Sequence, residues 1–394
     1  MSGQLISRFY QDFQPDRVVL SVAAALLLIG YLIVASSSLH LGVKVAHNLF
    51  HYPVRQMLHI VLGLMLAAVI CAIPMTVWER SSTGLFITGL ILLGIVLIPG
   101  IGVKVNGSVR WLSVAGFRIQ VSEIVKFISV IYMAGYIKRH QQEIRQDHYG
   151  LLKPLLLAGF ACFLLLLEPD FGSAVVILII TMGMMFLGGA RIQQFLVLLG
   201  ATAVGAALLV YFSPYRWARV TGFLDPWADA RDTGFQLVQA LISFGRGDIW
   251  GVGLGNGIQK LFYLPEAHTD FLFSVLAEEL GLIGVLLVIT LFTVLVWRAF
   301  YIAGQAEQAG QGFNALVAYG LGIWFGFQSF VNMGVNMGML PTKGITLPLM
   351  SYGGGSMLIM CAAIAVLLRI SSEATEQLKA TATVTGRARQ WANV

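Results

Sequence analysis

The sequence predicts an all-α integral membrane protein with ten transmembrane helices, and three observations carry that prediction. Charged residues make up 11% of the 394-residue chain and hydrophobic residues 57%, with a mean hydropathy of +0.80. A soluble domain of average composition is roughly 25% charged. The charge deficit runs along the whole chain, and the apolar residues fall into stretches close to the about 20 residues a helix needs to cross a hydrocarbon core. The remaining Lys and Arg are unevenly divided between the intervening loops, which is the asymmetry that orients such helices.

The stretches, in order, are 18–38, 54–74, 83–100, 122–138, 152–168, 170–188, 192–212, 271–298, 313–337 and 353–370. The polar N-terminus MSGQLISRFYQDFQPDR precedes the first without a small-residue cleavage site, so a cleaved signal peptide is not expected. The fifth and sixth are separated only by Glu168-Pro169-Asp170, which reads as a tight turn. An even number of spans puts both termini on one side. That side collects Arg8, Arg17, Arg80, Lys138, Arg139, Arg145, Lys153, Arg191, Arg298, Arg369, Lys379, Arg387 and Arg389, against Lys44, Arg55 and Lys343 in the short loops opposite. Both termini are therefore expected in the cytoplasm. The chain reads as a single polytopic membrane domain over 1–394. Its long extracytoplasmic segments are 101–121 and 213–270, the latter one large loop between helices seven and eight, and 371–394 is a polar, mobile cytoplasmic tail.

The long segments break the charge bias with Lys104, Arg110, Arg118, Arg216, Arg219, Arg231, Arg246 and Lys260. Insertion did not require those cations, so they point to function. No internal repeat or matched pair of broken helices is visible, which weakens a transporter built from inverted repeats. Cys71, Cys162 and Cys361 lie in apolar runs and read as small buried hydrophobes. No His or Cys spacing suits a metal. A net charge of +6 suits anionic lipid and requires no nucleic acid.

Five stretches concentrate the chemistry. In LPEAHTDFLFSVLAEELG (264–281), Glu266, His268 and Asp270 precede an apolar run that buries Glu278 and Glu279. Asp270 reads equally as a helix N-cap or as an acid facing a cavity. Acids two turns into an apolar run are costly, so Glu278 and Glu279 either pair with a cation on a neighbouring helix, the favoured reading, or line a polar cavity. In NGSVRWLSVAGFRIQVSEIVKF (106–127), Arg110-Trp111 marks an interface, Ser122 reads as an N-cap, and Glu123 and Lys126 are spaced to pair at i,i+3. In SPYRWARVTGFLDPWADARDTGFQLVQAL (213–241), Arg216 and Arg219 share a helical face suited to a lipid phosphate or to headgroup snorkelling, and Gln236 and Gln239 sit in a semi-apolar segment able to re-enter the membrane. GVGLGNG (251–257) has no strand–turn–helix context and no GK[ST], so it is not a nucleotide loop; its glycines suit a tight loop. In LPTKGITLPLMSYGGGSML (340–358), Lys343 is a lone cation, and Ser351 leads toward the last helix. One carboxylate, Asp270, among the cations Arg110, Lys126, Arg216, Arg219 and Lys343 suits transfer from a phosphate-linked donor. A base takes the proton of an attacking hydroxyl while cations hold the leaving pyrophosphate.

GSVRW, IQVSEIVKF, LEPDFGSAVV, GVGLGNGIQKLFYLPEAHTDFLFSVLAEELG and PTKGITLPLMSYGGGS, in that order, resemble the SEDS family (shape, elongation, division and sporulation) across all ten predicted helices. YLPEAHTDF, with GLGNGIQK ahead of it, is nearer the division branch, the elongation branch typically reading LPERHTDF. The resemblance implies a peptidoglycan glycosyltransferase that polymerises lipid II at the outer leaflet of the inner membrane, at the septum, with undecaprenyl pyrophosphate leaving. It implies Asp270 as the catalytic residue, with Arg110, Trp111, Glu123, Lys126, Arg216, Arg219, Glu266, His268, Lys343 and Ser351 as substrate-binding candidates. The implied partners are a class B penicillin-binding protein, other divisome proteins and membrane lipids. A divalent cation, Mg or Mn, at the pyrophosphate is compatible with that chemistry, although no ligand cluster argues for one. A lipid II flippase, a scaffold and an elongation polymerase are the competing readings. Three positions depart from the family pattern: Val121 stands for a usual proline, Phe171 for a usual leucine, and Phe262 for a frequent acid.

Overall fold

The computed structural model describes residues 13–105, 108–114, 117–146, 149–232, 234–342 and 344–392. A helix occupies each of the ten apolar stretches: α1 (Arg17–Ala46), α2 (His51–Cys71), α3 (Met75–Val96), α4 (Val121–Arg139), α6 (Leu152–Leu167), α7 (Phe171–Leu187), α8 (Ile192–Tyr211), α11 (Leu272–Gln308), α12 (Gly312–Asn336) and α13 (Gly354–Ala392). Short helices lie between them: α5 (Gln141–Gln146), α9 (Pro214–Leu224) and α10 (Phe235–Gly247).

Two expectations need correction. The protein is not wholly helical: β1 (Gly102–Val105), β2 (Ser108–Val114) and β3 (Phe117–Gln120) form an antiparallel sheet in that order. β-Branched residues in short runs explain the strands. The sheet packs against α3 and α4, with β3 beside α13. The segment after Arg369 is helical rather than irregular, α13 continuing to Ala392. Glu373 helps tie its base down. It accepts from the Met75 N–H at 3.1 Å and the Asn314 amide at 3.2 Å, and pairs with Arg369 at 2.7 Å.

Polarity sorts the helices by depth. Among the described residues, six helices are long and apolar enough to cross a membrane by themselves: α1, α2, α3, α8, α11 and α13. α4 carries Glu123, Lys126, Lys138 and Arg139, α12 carries Asn314, Gln328, Asn332 and Asn336, and neither is in that group. Both are enclosed by neighbours: α4 by α3, α7 and α12, and α12 by α4, α7, α11 and α13. At the other extreme, α8 buries none of its residues. The polar side chains of α4 and α12 thus lie among neighbouring helices rather than against lipid.

α11 is broken at Gly281, whose φ of 65° and ψ of −163° no L side chain adopts readily. The freed backbone groups are taken up by an irregular segment laid across the break. Val252 and Gly253 N–H donate to the carbonyls of Glu278 and Glu279 at 3.0 and 3.1 Å, and Leu282 N–H donates to Asp248 O at 2.8 Å. The two chains approach so closely that a Cβ on Gly281 would sit 2.3 Å from Gly251 N. Gly281→Ala is therefore expected to destabilise the fold by about 3 kcal/mol or more, through backbone strain plus a clash with main-chain atoms. Thermal unfolding in detergent checks this; an unchanged midpoint would rule it out.

Glu278 and Glu279 stitch the same segment down. The Glu278 carboxylate accepts from Ile258 N–H at 2.9 Å and Gln259 N–H at 3.2 Å and faces Arg246 of α10 at 3.4 Å. Glu279 pairs with Lys260 at 2.5 Å and accepts from the Ser36 hydroxyl of α1 at 2.7 Å. Both are paired, and one partner lies on a helix and the other in the irregular segment.

Candidate active site at the loop-bearing end

The sheet, α9, the 248–270 segment and the 340–353 segment gather at one end of the bundle, around Asp270. Asp270 is not a helix cap: α11 begins two residues later, with Phe271 at its N-cap position and no side-chain capping bond. Asp270 is half-buried, and among the described residues none donates a hydrogen bond to its carboxylate. Its pKa is pushed up to about 7, first by burial and then by Glu266, while Arg110 and Arg219 pull it down and Asp170 raises it further.

The chain around Asp270 is fixed through its carbonyls. His268 O accepts from Tyr352 N–H at 3.0 Å, and Thr269 O accepts from the Ser351 hydroxyl at 2.7 Å. Asp270 O accepts from the side-chain amides of Asn332 and Asn336 at 2.9 and 3.0 Å. Ser351 therefore serves as a brace: its oxygen also accepts from Leu347 N–H at 2.9 Å. Opposite the carboxylate lies Gly344, where a Cβ would stand 3.0 Å from Asp270 Oδ2.

The cations come from separate elements. Arg110 on β2 reaches the α6–α7 turn, donating to Glu168 O at 3.2 Å and Pro169 O at 2.6 Å. That turn is anchored by Asp170, which caps α7 through Ser173 N–H and accepts from the Ser122 hydroxyl at 3.0 Å and, more weakly, from Gln120 at 3.3 Å. Ser122 is thus not an N-cap, because α4 already starts at Val121. Trp111 neighbours Arg110 on β2 and pairs in register with Gln120. Arg219 on α9 donates to Thr342 O at 3.3 Å. Arg216, one turn earlier, lies over the Phe171 ring at 5.2 Å and donates to Leu209 O at 3.1 Å. Phe171, where leucine is usual, gives that guanidinium a π-face. Phe262, where an acid is frequent, does the same for Lys44 at 4.6 Å.

The structure separates Glu123 and Lys126 from this group. They pair with each other at 2.7 Å, and Lys126 also donates to Gln328 at 3.0 Å, which in turn accepts from Trp324 and donates to Thr346 O. Lys126 is enclosed in the bundle, connecting α4 to α12 and the 340–353 segment. Glu266, with a positive φ of 55°, accepts from the Thr269 hydroxyl at 2.8 Å. His268 sits among Tyr52 and Tyr352, rings 5.2 and 5.4 Å away, and burial depresses its pKa. Lys343 lies outside the described residues. Asn332, Asn336, Asp170 and Tyr352 were not singled out from sequence. Two Asn at i,i+4 inside an apolar run were the available signal for the first pair.

The helical bundle defines a polytopic membrane protein with a carboxylate and arginines gathered at its loop-bearing end. The chain belongs to the cell cycle protein family that groups FtsW, RodA and SpoVE, whose model matches residues 16–376. It is 66% identical over 364 residues to a probable peptidoglycan glycosyltransferase FtsW of Methylomonas methanica, covering 92% of this chain and 94% of that one. A protein of the same description from Methylococcus capsulatus is 56% identical over 362 residues, covering 92% and 91%. Among solved structures, a chain of a peptidoglycan synthase complex that coordinates polymerization and crosslinking superposes with a TM-score of 0.75 at 28% identity, covering 91% of this chain and 98% of that one. The rod shape determining protein RodA of Thermus thermophilus superposes at 0.67 with 26% identity, covering 91% and 96%.

Proposed function

We propose that the protein is a peptidoglycan glycosyltransferase that polymerises lipid II at the outer leaflet of the inner membrane during division. The observation that carries the reading is Asp270, a half-buried carboxyl poised near neutrality with Arg110 and Arg219 in its field. The GlcNAc 4-hydroxyl of one lipid II attacks the anomeric carbon of the MurNAc on the growing strand. Asp270 takes the hydroxyl proton as the new C–O bond forms, and the bond from that carbon to the pyrophosphate breaks. The electron pair leaves with undecaprenyl pyrophosphate, whose charge Arg110, Arg216 and Arg219 offset. One displacement inverts the anomeric centre, as a β-linked product from an α-linked donor requires. Trp111, Glu266, His268 and Ser351 border or brace the substrate's path, while Glu123 and Lys126 support it from within the bundle; Lys343 is a further candidate cation by its chemistry alone. On this reading ten membrane spans keep both termini in the cytoplasm and the loop-bearing end outside, where lipid II is consumed; the Lys and Arg asymmetry of the loops supports it. A class B penicillin-binding protein would cross-link the product, together with other divisome proteins.

Among the described residues no group of three or more His, Cys, Asp or Glu is placed to hold a metal ion; a Mg or Mn held chiefly by the pyrophosphate needs only one or two protein carboxylates and stays compatible with this site.

The test is strand synthesis from purified lipid II, with and without the cognate class B transpeptidase. Polymer supports the reading; lipid II crossing vesicle membranes without polymer would replace it with transport. The pH dependence gives a second check. Asp270 acts only when ionised, so the rate should rise with pH through about 7. Glu266→Gln removes a group that raises the Asp270 pKa, and the acid limb should move to lower pH. Arg219→Gln should move it higher. Profiles that do not shift would remove Asp270 as the titrating base.

A further inference from the structure

We infer that Asn332 and Asn336 are positioning residues for the reaction, fixing the direction in which Asp270 presents its carboxylate; this rests on the reading of Asp270 as the base. The two side chains project from one face of α12, four residues apart. Both donate to the same oxygen, Asp270 O, at 2.9 and 3.0 Å, and so fill both of its lone pairs. Asn332 uses its second N–H on Ile345 O at 2.6 Å. One amide thus joins the peptide after the base to the peptide chain just beyond Gly344, the residue that walls the carboxylate. Asn336 uses its own oxygen on the first turn of α11, accepting from Ser274 N–H at 3.0 Å and the Ser274 hydroxyl at 2.7 Å.

The consequence is geometric. With His268 O and Thr269 O also occupied, three consecutive peptides carry protein donors on their carbonyls. The backbone of Asp270 cannot rotate without breaking several of these bonds. Its Cα–Cβ direction is fixed from behind, and the described residues leave the carboxylate oxygens for the attacking hydroxyl. Gly344 completes the arrangement: with its Cβ position only 3.0 Å from Oδ2, the wall and the base keep their spacing only while Ile345 is held. Both Asn residues are buried in α12. Polar side chains at depth in an apolar helix are expensive and mark functional sites.

A purely structural role as an external cap for α11 is the competing explanation, and two variants separate it. Asn336→Asp keeps an acceptor for Ser274 but turns the donor toward Asp270 O into an acceptor. Asn332→Leu removes both donors at nearly constant volume. Strand synthesis from lipid II is measured for each, with kcat and KM resolved, alongside thermal unfolding and Asp270→Asn. Misplacement of a reacting group by about 1 Å costs about 100-fold. Both variants are therefore expected to lose kcat by about 10- to 100-fold, out of proportion to any fall in the unfolding midpoint, with KM for lipid II near wild type. Wild-type kcat in either folded variant, or losses of kcat that track the unfolding midpoint, would overturn the inference. If Asp270→Asn retains wild-type rate, the base assignment itself fails. If Asp270→Asn is inactive while Asn332→Leu and Asn336→Asp are normal, only the positioning role fails.

Discussion

Asp270→Asn is expected to abolish strand synthesis while leaving the protein folded and its binding to a class B transpeptidase intact. Loss of a positioned general base lowers rates by about 100- to 10,000-fold, which puts polymer below detection in an ordinary lipid II assay. The substitution is nearly isosteric. The bonds that fix this residue reach its main-chain carbonyl, from Asn332 and Asn336, so they survive the change. Removing a carboxyl that burial holds near neutrality relieves the fold of a desolvated group, and no loss of stability is expected. Polymer at the wild-type rate would move the base to another acid, with Glu266 the nearest in sequence.

Lys260→Met should have the largest effect on stability. Lys260 and Glu279 lie 2.5 Å apart with side chains 2% and 0% exposed, and the Lys260 ammonium also donates to Ser36 at 2.7 Å. Removing one partner of a buried pair leaves an uncompensated charge, at a cost of about 3–5 kcal/mol. The double variant Lys260→Met with Glu279→Leu should recover much of that loss, because the orphaned acid is then gone. Unfolding midpoints of the single and double variants decide this. A single variant as stable as wild type would mean that the pair does not hold the 248–260 segment to α11.

The apolar stretches were legible because lipid imposes a length and a composition on anything that crosses it. The three-stranded sheet was legible in principle: Asn106-Gly107 follows the β1 residues and precedes SVRWLSV, a strong hairpin signal. The i,i+3 pairing of Glu123 with Lys126 followed directly from helix geometry. The partners of Glu278 and Glu279 did not, because Lys260 precedes them within an irregular segment whose path depends on the break at Gly281. The grouping of Asp270 with Arg110 and Arg219 came from residue chemistry and family resemblance. Ser351 was singled out, yet its role as a brace was not visible, and Asn332 and Asn336 were not singled out at all. Their bonds run to main-chain carbonyls, and a carbonyl leaves no trace in the sequence of its own residue.

The sorting of helices by polarity bears on biogenesis. α4 and α12 hold the Lys126–Gln328 contact and the amides behind Asp270, and they are the most polar of the long helices. Their entry into the bilayer is expected to be helped by α3 and α11, which flank them in sequence and pack on them in space. The polar side chains behind Asp270 are therefore the ones expected to make assembly sensitive to the order in which helices enter the membrane.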